Sequence, residues 1–336
     1  MERIAFITGS HFITWSSVVI TLAAAAAACI FLGLYLWKSG NSISGFAAVP
    51  LALALSLAAA RLIHWYCYEE SYESLHAAMT NFSQGGYALL GAFAGCLLAA
   101  LLLRLVRLSR NLPEMLDCMC LAGSAGIAIG RLSSFFNSTD RGQMVDSIRS
   151  MPWVYPVTNV TSGTTEYRLA TFLLQAMVAG LIFLILAVFY LARKNRSPRD
   201  GDTTLLFLLF YGGSQLMLDS TRYDSMFFRS NGFVSIVQVF GALALAFAII
   251  LFSVRLGKNQ GFRKWYLILW AVTAALIGCA GYMEYYVQRH GNEAVFAYTL
   301  MGTSLLLVML LTVGIRYIAD HSLDPLLNKI KKTGCP

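Results

Sequence analysis

Nine runs of apolar residues follow one another along this chain, and each is long enough to cross a bilayer. About 20 apolar residues in a helix span a hydrocarbon core of roughly 30 Å. Lipid offers the backbone no hydrogen bonds, so such runs fold as helices. The runs cover residues 12–37, 46–67, 86–106, 114–132, 168–192, 203–219, 232–254, 265–285 and 296–318. We therefore predict an all-α fold, a polytopic integral membrane bundle of about nine transmembrane helices.

The composition excludes most classes of soluble protein. Hydrophobic residues make up 57% of the 336 positions and charged residues 12%, whereas a soluble domain carries about 25% charged residues. The net charge of +8 is compatible with nucleic acid, but the cations lie in short clusters between the apolar runs. That distribution is typical of residues that set membrane topology, so we predict no nucleic-acid partner.

No cofactor or metal site is predicted. The seven cysteines lack the paired spacing of a metal site, and we interpret them as packing residues. The chain also has no glycine-rich phosphate loop that ends in a lysine.

The positions of the lysines predict the orientation of the chain in the membrane. If the first loop is cytoplasmic, every lysine falls on that side, which places the N-terminus outside and the C-terminus in the cytoplasm.

The composition divides the chain into three predicted parts. Residues 1–258 form a transmembrane core that includes a polar extracytoplasmic head over 137–167. Residues 259–318 form an additional transmembrane hairpin, and residues 319–336 form a cytoplasmic tail.

Charged and polar residues collect at the outer ends of several predicted helices. They are Arg61, His64, Arg131, Arg168, Asp219 and Arg222. One interpretation is that the arginines extend to the head groups and do nothing else. The other is a shared site for an anion such as a lipid phosphate, because a charge in lipid is costly and four spans contribute to one layer.

Arg131 is at the centre of this second interpretation. It ends an almost uncharged run that begins after Asp117, fourteen residues earlier and therefore on the same helix face. Ser133, Ser134 and Asn137 follow it. Because hydroxyls and an amide add neutral donors to a guanidinium, we predict that this face points inward and binds a phosphate.

A second polar stripe lies on the sixth run. Gln215, Asp219 and Arg222 are spaced four and then three residues apart, which places them on one helix face. The structural interpretation is an Asp219–Arg222 ion pair that lets a charged helix end survive in the membrane. The functional interpretation is that Asp219 orients Arg222 toward a lipid phosphate.

Six segments over roughly residues 10–255 resemble the bacterial prolipoprotein diacylglyceryl transferase family. They are ITWSS, AARLIHWY, QGGYALLGAFAG, the Asp117 to Asn137 segment with GRLSSFFN, YGGSQLMLDSTRYD and FVSIVQVFG. The resemblance implies a multi-pass enzyme of the bacterial inner membrane. Its partners would be phosphatidylglycerol, which donates the diacylglyceryl group and releases glycerol phosphate, and a preprolipoprotein, whose lipobox cysteine accepts it.

The resemblance also implies roles for individual residues. Arg131 matches the family's phosphate-binding arginine, and Asn137 matches the second asparagine of its signature. Asp219 matches a late acid, and Arg222 matches the arginine that follows it. Five positions depart from the pattern: Leu90 for histidine or tyrosine, Gln215 for a second arginine, Ser134 for asparagine, Thr139 with Asp140 beside it for glutamate, and Ser16 for tyrosine.

These departures remove the residue associated with thiol activation and one of two guanidiniums on the phosphate. His64 is the candidate replacement base, although an isolated histidine is more often a packing residue, and Arg61 or Arg168 is the candidate replacement guanidinium. The predicted catalytic residues are Arg131, His64 and Asp219. The predicted lipid-phosphate residues are Arg131, Arg222, Arg61, Gln215, Ser134 and Asn137.

The predicted function is a phospholipid-dependent transferase that moves a diacylglyceryl group from phosphatidylglycerol to an acceptor such as a lipoprotein cysteine. The alternative is a catalytically silent relative that binds phospholipid or a membrane partner protein.

Overall fold

The computed structural model describes residues 4–8, 11–81, 85–137, 139–144, 154–158, 163–192, 200–229, 231–290 and 294–321. Ten α-helices lie within these ranges. They are α1 (Trp15–Ser39), α2 (Ser42–Cys67), α3 (Leu75–Thr80), α4 (Leu89–Leu105), α5 (Leu112–Arg131), α6 (Thr171–Ala192), α7 (Asp202–Ser220), α8 (Ile236–Gln260), α9 (Trp265–His290) and α10 (Ala294–Asp320). The strands form three antiparallel hairpins: β1 (Ile4–Thr8) with β2 (His11–Thr14), β3 (Val154–Thr158) with β4 (Thr165–Leu169), and β5 (Phe227–Phe228) with β6 (Asn231–Ser235).

The all-α membrane bundle predicted from the apolar runs is confirmed. Among the described residues, seven helices are long and apolar enough to cross a membrane. The shorter α4 is also apolar, and α7, with 19 residues, occupies the sixth predicted run. The expected count of nine spans is therefore approximate. The predicted cytoplasmic tail after His321 and the cationic loop over 193–199 lie outside the described residues, as do parts of the predicted head.

The chain forms two compact units. The first contains residues 1–207 and 221–239, and the second contains residues 208–220 and 240–336. In the second unit α7 packs closely on its neighbours: a Cβ at Gly212 would lie 2.7 Å from the Gly241 carbonyl oxygen of α8, and one at Gly302 of α10 would lie 2.8 Å from the Met217 sulfur. The hairpin of α9 and α10 thus shares a unit with the end of α7. The functional boundary at residue 258 stays a prediction.

In the first unit, small residues allow α2 and α4 to pack with their backbones in contact. A Cβ added at Gly91 or Gly95 would lie 2.4 Å from the backbone of α2. The Ser56 hydroxyl donates a hydrogen bond to the Ala92 carbonyl, 2.9 Å away. Close approach of this kind drives helix association in membranes, where apolar burial contributes little.

Asp117 fastens α5 to the start of α7. Its buried carboxylate accepts hydrogen bonds from the Gly201 amide at 2.8 Å and from the Thr204 amide and hydroxyl, both at 2.7 Å. The Gly201 amide lies just before α7 and the Thr204 amide lies in its first turn, where the helix has no partners of its own for such amides. The acid therefore caps a helix from 84 residues away along the chain.

Replacing Asp117 with alanine should destabilise the first unit, because it leaves buried donors of α7 unsatisfied. The expected loss is about 2 to 4 kcal/mol, the sum of a lost cap and an unpaired buried donor. Denaturant titration in detergent micelles measures it, and Glu73→Ala, which removes an exposed acid, is the control. Equal stability of the two variants would contradict this account of the cap.

Candidate functional site

The C-terminal end of α5 meets a short extended segment, residues 139–144, which is bonded on both edges. On one edge the Gly142 amide donates to the Leu169 carbonyl at 2.8 Å, and on the other the Gln143 amide donates to the Thr221 carbonyl at 3.1 Å. A Cβ at Gly142 would lie 2.6 Å from the Leu169 Cβ. Only glycine therefore lets the segment fit between β4 and the loop after α7.

Asp140 joins two arginines that are distant in sequence. Its Oδ1 accepts from Arg131 Nη1 at 2.7 Å and from Arg222 Nη2 at 2.8 Å, and its Oδ2 accepts from the Ser134 hydroxyl at 3.0 Å. Asp224 completes the group: Arg222 donates to its Oδ1 at 3.1 Å, and the Asp140 amide donates to its Oδ2 at 2.7 Å. We call these five residues the Asp140 cluster.

The Asp140 carboxyl stays ionised. Burial by itself would raise its pKa, but the guanidiniums of Arg131 and Arg222 beside it hold that pKa well below its usual range. A buried carboxylate with two bonded guanidiniums fixes both of their positions. The predicted convergence of separate helix ends is therefore realised for Arg131 and Arg222, which bind the same oxygen atom.

Sequence reasoning missed the acids of this cluster. Asp140 has a left-handed backbone, with φ of 57°, a conformation that aspartate tolerates better than most residues. Thr139, which stands at the family's glutamate position, instead directs its amide and hydroxyl to Asn137 Oδ1, at 3.0 and 2.7 Å. The only signal in the sequence was an acid one place after the expected one.

Asn137 also joins the turn after α5 to the start of α1. Its side-chain amide donates to the Ser16 hydroxyl at 3.0 Å, and both residues stand at positions that the resemblance singled out. The rings of Trp15 and Phe136 lie 6.1 Å apart beside this contact. Of the predicted phosphate residues, Ser134 therefore belongs to the Asp140 cluster and Asn137 lies next to it.

Backbone carbonyl groups surround the Arg61 guanidinium, which was not predicted from the sequence. It is fully buried, and its Nε, Nη1 and Nη2 donate to the carbonyls of Ala78, Gly86 and Asn81 at 2.6, 2.9 and 2.7 Å. Three backbone acceptors in one loop thus bond to this guanidinium, which holds the loop between α2 and α4. The phosphate role of Arg61 stays a prediction.

His64 contacts the same loop and none of the Asp140 cluster in the described contacts. Its Nδ1 lies 2.8 Å from the Tyr72 hydroxyl, and its ring packs on Gly86, where a Cβ would approach within 2.6 Å. Gly86 precedes Leu90, the altered family position, by four residues. Gln215 and Asp219 lie in the second unit, and both are buried.

No metal-binding cluster was predicted, and the described ranges contain no group of three or more His, Cys, Asp or Glu residues arranged to hold a metal ion.

Comparison with known proteins identifies the family of this chain. A family model described as prolipoprotein diacylglyceryl transferase matches residues 3–254. Three proteins named phosphatidylglycerol-prolipoprotein diacylglyceryl transferase are similar to this chain. The protein of Streptococcus suis is 27% identical over 77% of this chain and 94% of its own length. That of Finegoldia magna is 26% identical over 73% and 94%, and that of Streptococcus equi subsp. zooepidemicus is 28% identical over 59% and 76%. The match covers the helices that carry the site, so this multi-pass membrane protein belongs to the prolipoprotein diacylglyceryl transferase family.

Proposed function

We propose that this chain transfers the diacylglyceryl group of phosphatidylglycerol to the cysteine thiol of a prolipoprotein. Membership of the family and the names of its relatives support this activity. The structural observation that carries it is the convergence of Arg131 and Arg222 at the outer end of α5. Paired guanidiniums in fixed positions are suited to a phosphate, which they bind through charge-assisted hydrogen bonds.

The charge of the site suits one phosphodiester. Arg131, Arg141 and Arg222 lie with Asp140 and Asp224 at this site in the first unit. A phosphatidylglycerol head group carries one negative charge, and guanidiniums bind such a phosphate through charge-assisted hydrogen bonds.

In the transfer, the thiol loses its proton and its sulfur bonds to the glycerol carbon of the diacylglyceryl group. The bond from that carbon to the phosphate oxygen breaks, and its electron pair leaves with glycerol phosphate. Guanidiniums that face the phosphate stabilise the charge that grows on this oxygen. Arg131 and Arg222 serve in this step, and Ser134 and Asn137 hold the turn beside them.

His64 is the proposed base for the thiol. The support is its place against Gly86, at the start of the segment where relatives carry a histidine or tyrosine, and its hydrogen bond with Tyr72. Asp219 is the proposed orienting acid, as its family position suggests. Gln215, at the place of the family's second arginine, is proposed as a neutral donor.

The proposed orientation places the Asp140 cluster on the outer face of the bacterial inner membrane. Lys38 and Lys258 lie in the last turns of α1 and α8, whereas Arg131 lies in the last turn of α5, which runs the opposite way in the predicted topology. The positive-inside rule supports a cytoplasmic location for the lysines. The N-terminus would then be outside and the C-terminus inside.

The activity is tested with purified protein in vesicles that contain phosphatidylglycerol labelled in its head-group glycerol, plus a lipobox peptide. We expect labelled glycerol phosphate to be released and the peptide to gain the mass of a diacylglyceryl group. Vesicles of phosphatidylcholine alone, or a peptide with serine for cysteine, serve as controls. An absence of both products would overturn the proposal.

Leu90 favours a second candidate function, that of a silent relative which binds phospholipid without turnover. In that case phosphatidylglycerol copurifies with the protein but no glycerol phosphate is released. The double variant Leu90→His with Gln215→Arg would then gain activity. Release by the wild-type protein excludes this candidate.

A further inference from the structure

Arg141 lies beside the Asp140 cluster and is enclosed. Its side chain is 95% buried, since only 5% of the residue is exposed. Its Nη2 donates to the carbonyls of Ser134 and Asn137, both at 2.7 Å, and its guanidinium lies 4.1 Å from the ring centre of Tyr155 and 4.7 Å from that of Phe172. These contacts fix the plane of the guanidinium against the turn after α5.

The other donors of Arg141 have no hydrogen-bond partners among the described residues. Nε and Nη1 are both buried and unsatisfied. Buried polar groups are almost always hydrogen-bonded, and an unsatisfied charged donor carries a high desolvation cost. The Tyr155 hydroxyl, which itself donates to the Phe135 carbonyl at 3.4 Å, acts on the charge of Arg141, and the carboxylates of Asp140 and Asp224 do so less strongly. Nε carries one N–H and Nη1 carries two, so three guanidinium N–H groups next to the cluster have no acceptor among the described residues.

This inference rests on the proposed function: we propose that Arg141 is a further phosphate-binding guanidinium of this chain, beside Arg131 and Arg222. Nε–H points to the edge that it shares with Nη2, and Nη1 points to the other edge, so a phosphate oxygen would accept a hydrogen bond from one of these groups. Asp140 holds Arg131 and Arg222 in place. Carbonyl oxygens hold Arg141, so its positive charge stays available to an anionic ligand.

The other candidate guanidiniums suit this role less well. Arg61 already donates hydrogen bonds to three loop carbonyls. Arg168 donates through Nε and Nη2 to Glu166, which neutralises it. Arg141 bonds to neutral carbonyls through Nη2, so its charge is not cancelled by a bonded acid.

The test is the dependence of turnover on phosphatidylglycerol and on peptide, measured separately in vesicles. For Arg141→Gln we expect the KM for phosphatidylglycerol to rise about tenfold or more, since hydrogen bonds to a charged group are lost, with the KM for peptide unchanged. Arg141→Lys keeps the positive charge but not the planar guanidinium, and it should show a smaller rise in the KM for phosphatidylglycerol. Arg229→Gln is the matched control, because Arg229 also lies over two aromatic rings and donates to a carbonyl.

If Arg141→Gln does not fold, Arg141→Lys provides the same measurement. A merely structural role would lower thermal stability and leave the KM for phosphatidylglycerol unchanged in the folded variants, and that result would overturn the inference. Addition of methylguanidinium to Arg141→Ala should partly restore the KM for phosphatidylglycerol if the role is correct. If the wild-type protein itself shows no turnover, it is the proposed function that fails.

Discussion

Replacing Arg131 with alanine is expected to reduce the release of glycerol phosphate by about a hundredfold or more, the usual cost of removing one positioned donor from a developing negative charge. Arg131 ends α5, and its Nη1 bonds to Asp140 at 2.7 Å, so its position is fixed before any lipid arrives. The measurement is single-turnover release from labelled phosphatidylglycerol. Arg104→Ala removes an arginine from the last turn of α4 and should leave the rate unchanged.

A double variant separates two roles of Arg131. If Arg131 only neutralised Asp140, then Arg131→Gln combined with Asp140→Asn would remove both charges and restore activity. If Arg131 binds the phosphate, the double variant stays inactive although its stability recovers. Restored turnover in the double variant would contradict the phosphate role.

Replacing Asp140 with asparagine is expected to cost about 3 to 5 kcal/mol of stability, the range measured when one partner of a buried ion pair is removed. Two guanidiniums then lose the carboxylate oxygen that they share. Asparagine is chosen because it tolerates the left-handed backbone at this position, with φ of 57°. Denaturant titration in micelles gives the value. Glu166→Gln, which unpairs the single arginine Arg168, should cost less.

The Asp140 carboxyl should make the stability of the protein depend on pH. Its pKa is lower in the folded protein than in the unfolded chain, so its contribution is fully present above the unfolded value of about 4. That contribution is lost as the pH falls from there toward the folded pKa. Wild-type protein should therefore lose stability more steeply below about pH 4 than Asp140→Asn does. Parallel curves for the two proteins would show that Asp140 carries no such linkage.

Much of the fold could be predicted because the membrane imposes simple requirements. Each of the nine apolar runs contains a helix, seven of them long and apolar enough to cross a membrane, and the polar residues after Arg131 became a turn whose side chains stay near it. The approach of Arg222 to Arg131 also followed from the sequence, as a consequence of placing helix ends in one layer. These predictions needed only run length and the position of charges relative to the ends.

The roles of individual polar groups could not be predicted in the same way. Asp117, expected only to share an inward-pointing helix face with Arg131, caps α7. Arg61, expected to bind phosphate, donates to three loop carbonyls. Both outcomes depend on which loop folds back against a helix, and loops carry no periodic signal.

By itself, the sequence of this protein determined the membrane bundle, the family motifs and the place of Arg131 at the end of its helix, because hydrophobic length and charge act locally. Only the tertiary structure decided that Asp140 joins Arg131 to Arg222 and that Arg141 lies beside them. The physical reason is that a buried ion pair requires both partners at bonding distance. Here that distance is set by the left-handed turn at Asp140 and by the extended segment between β4 and the loop after α7, which bring together residues far apart in the chain.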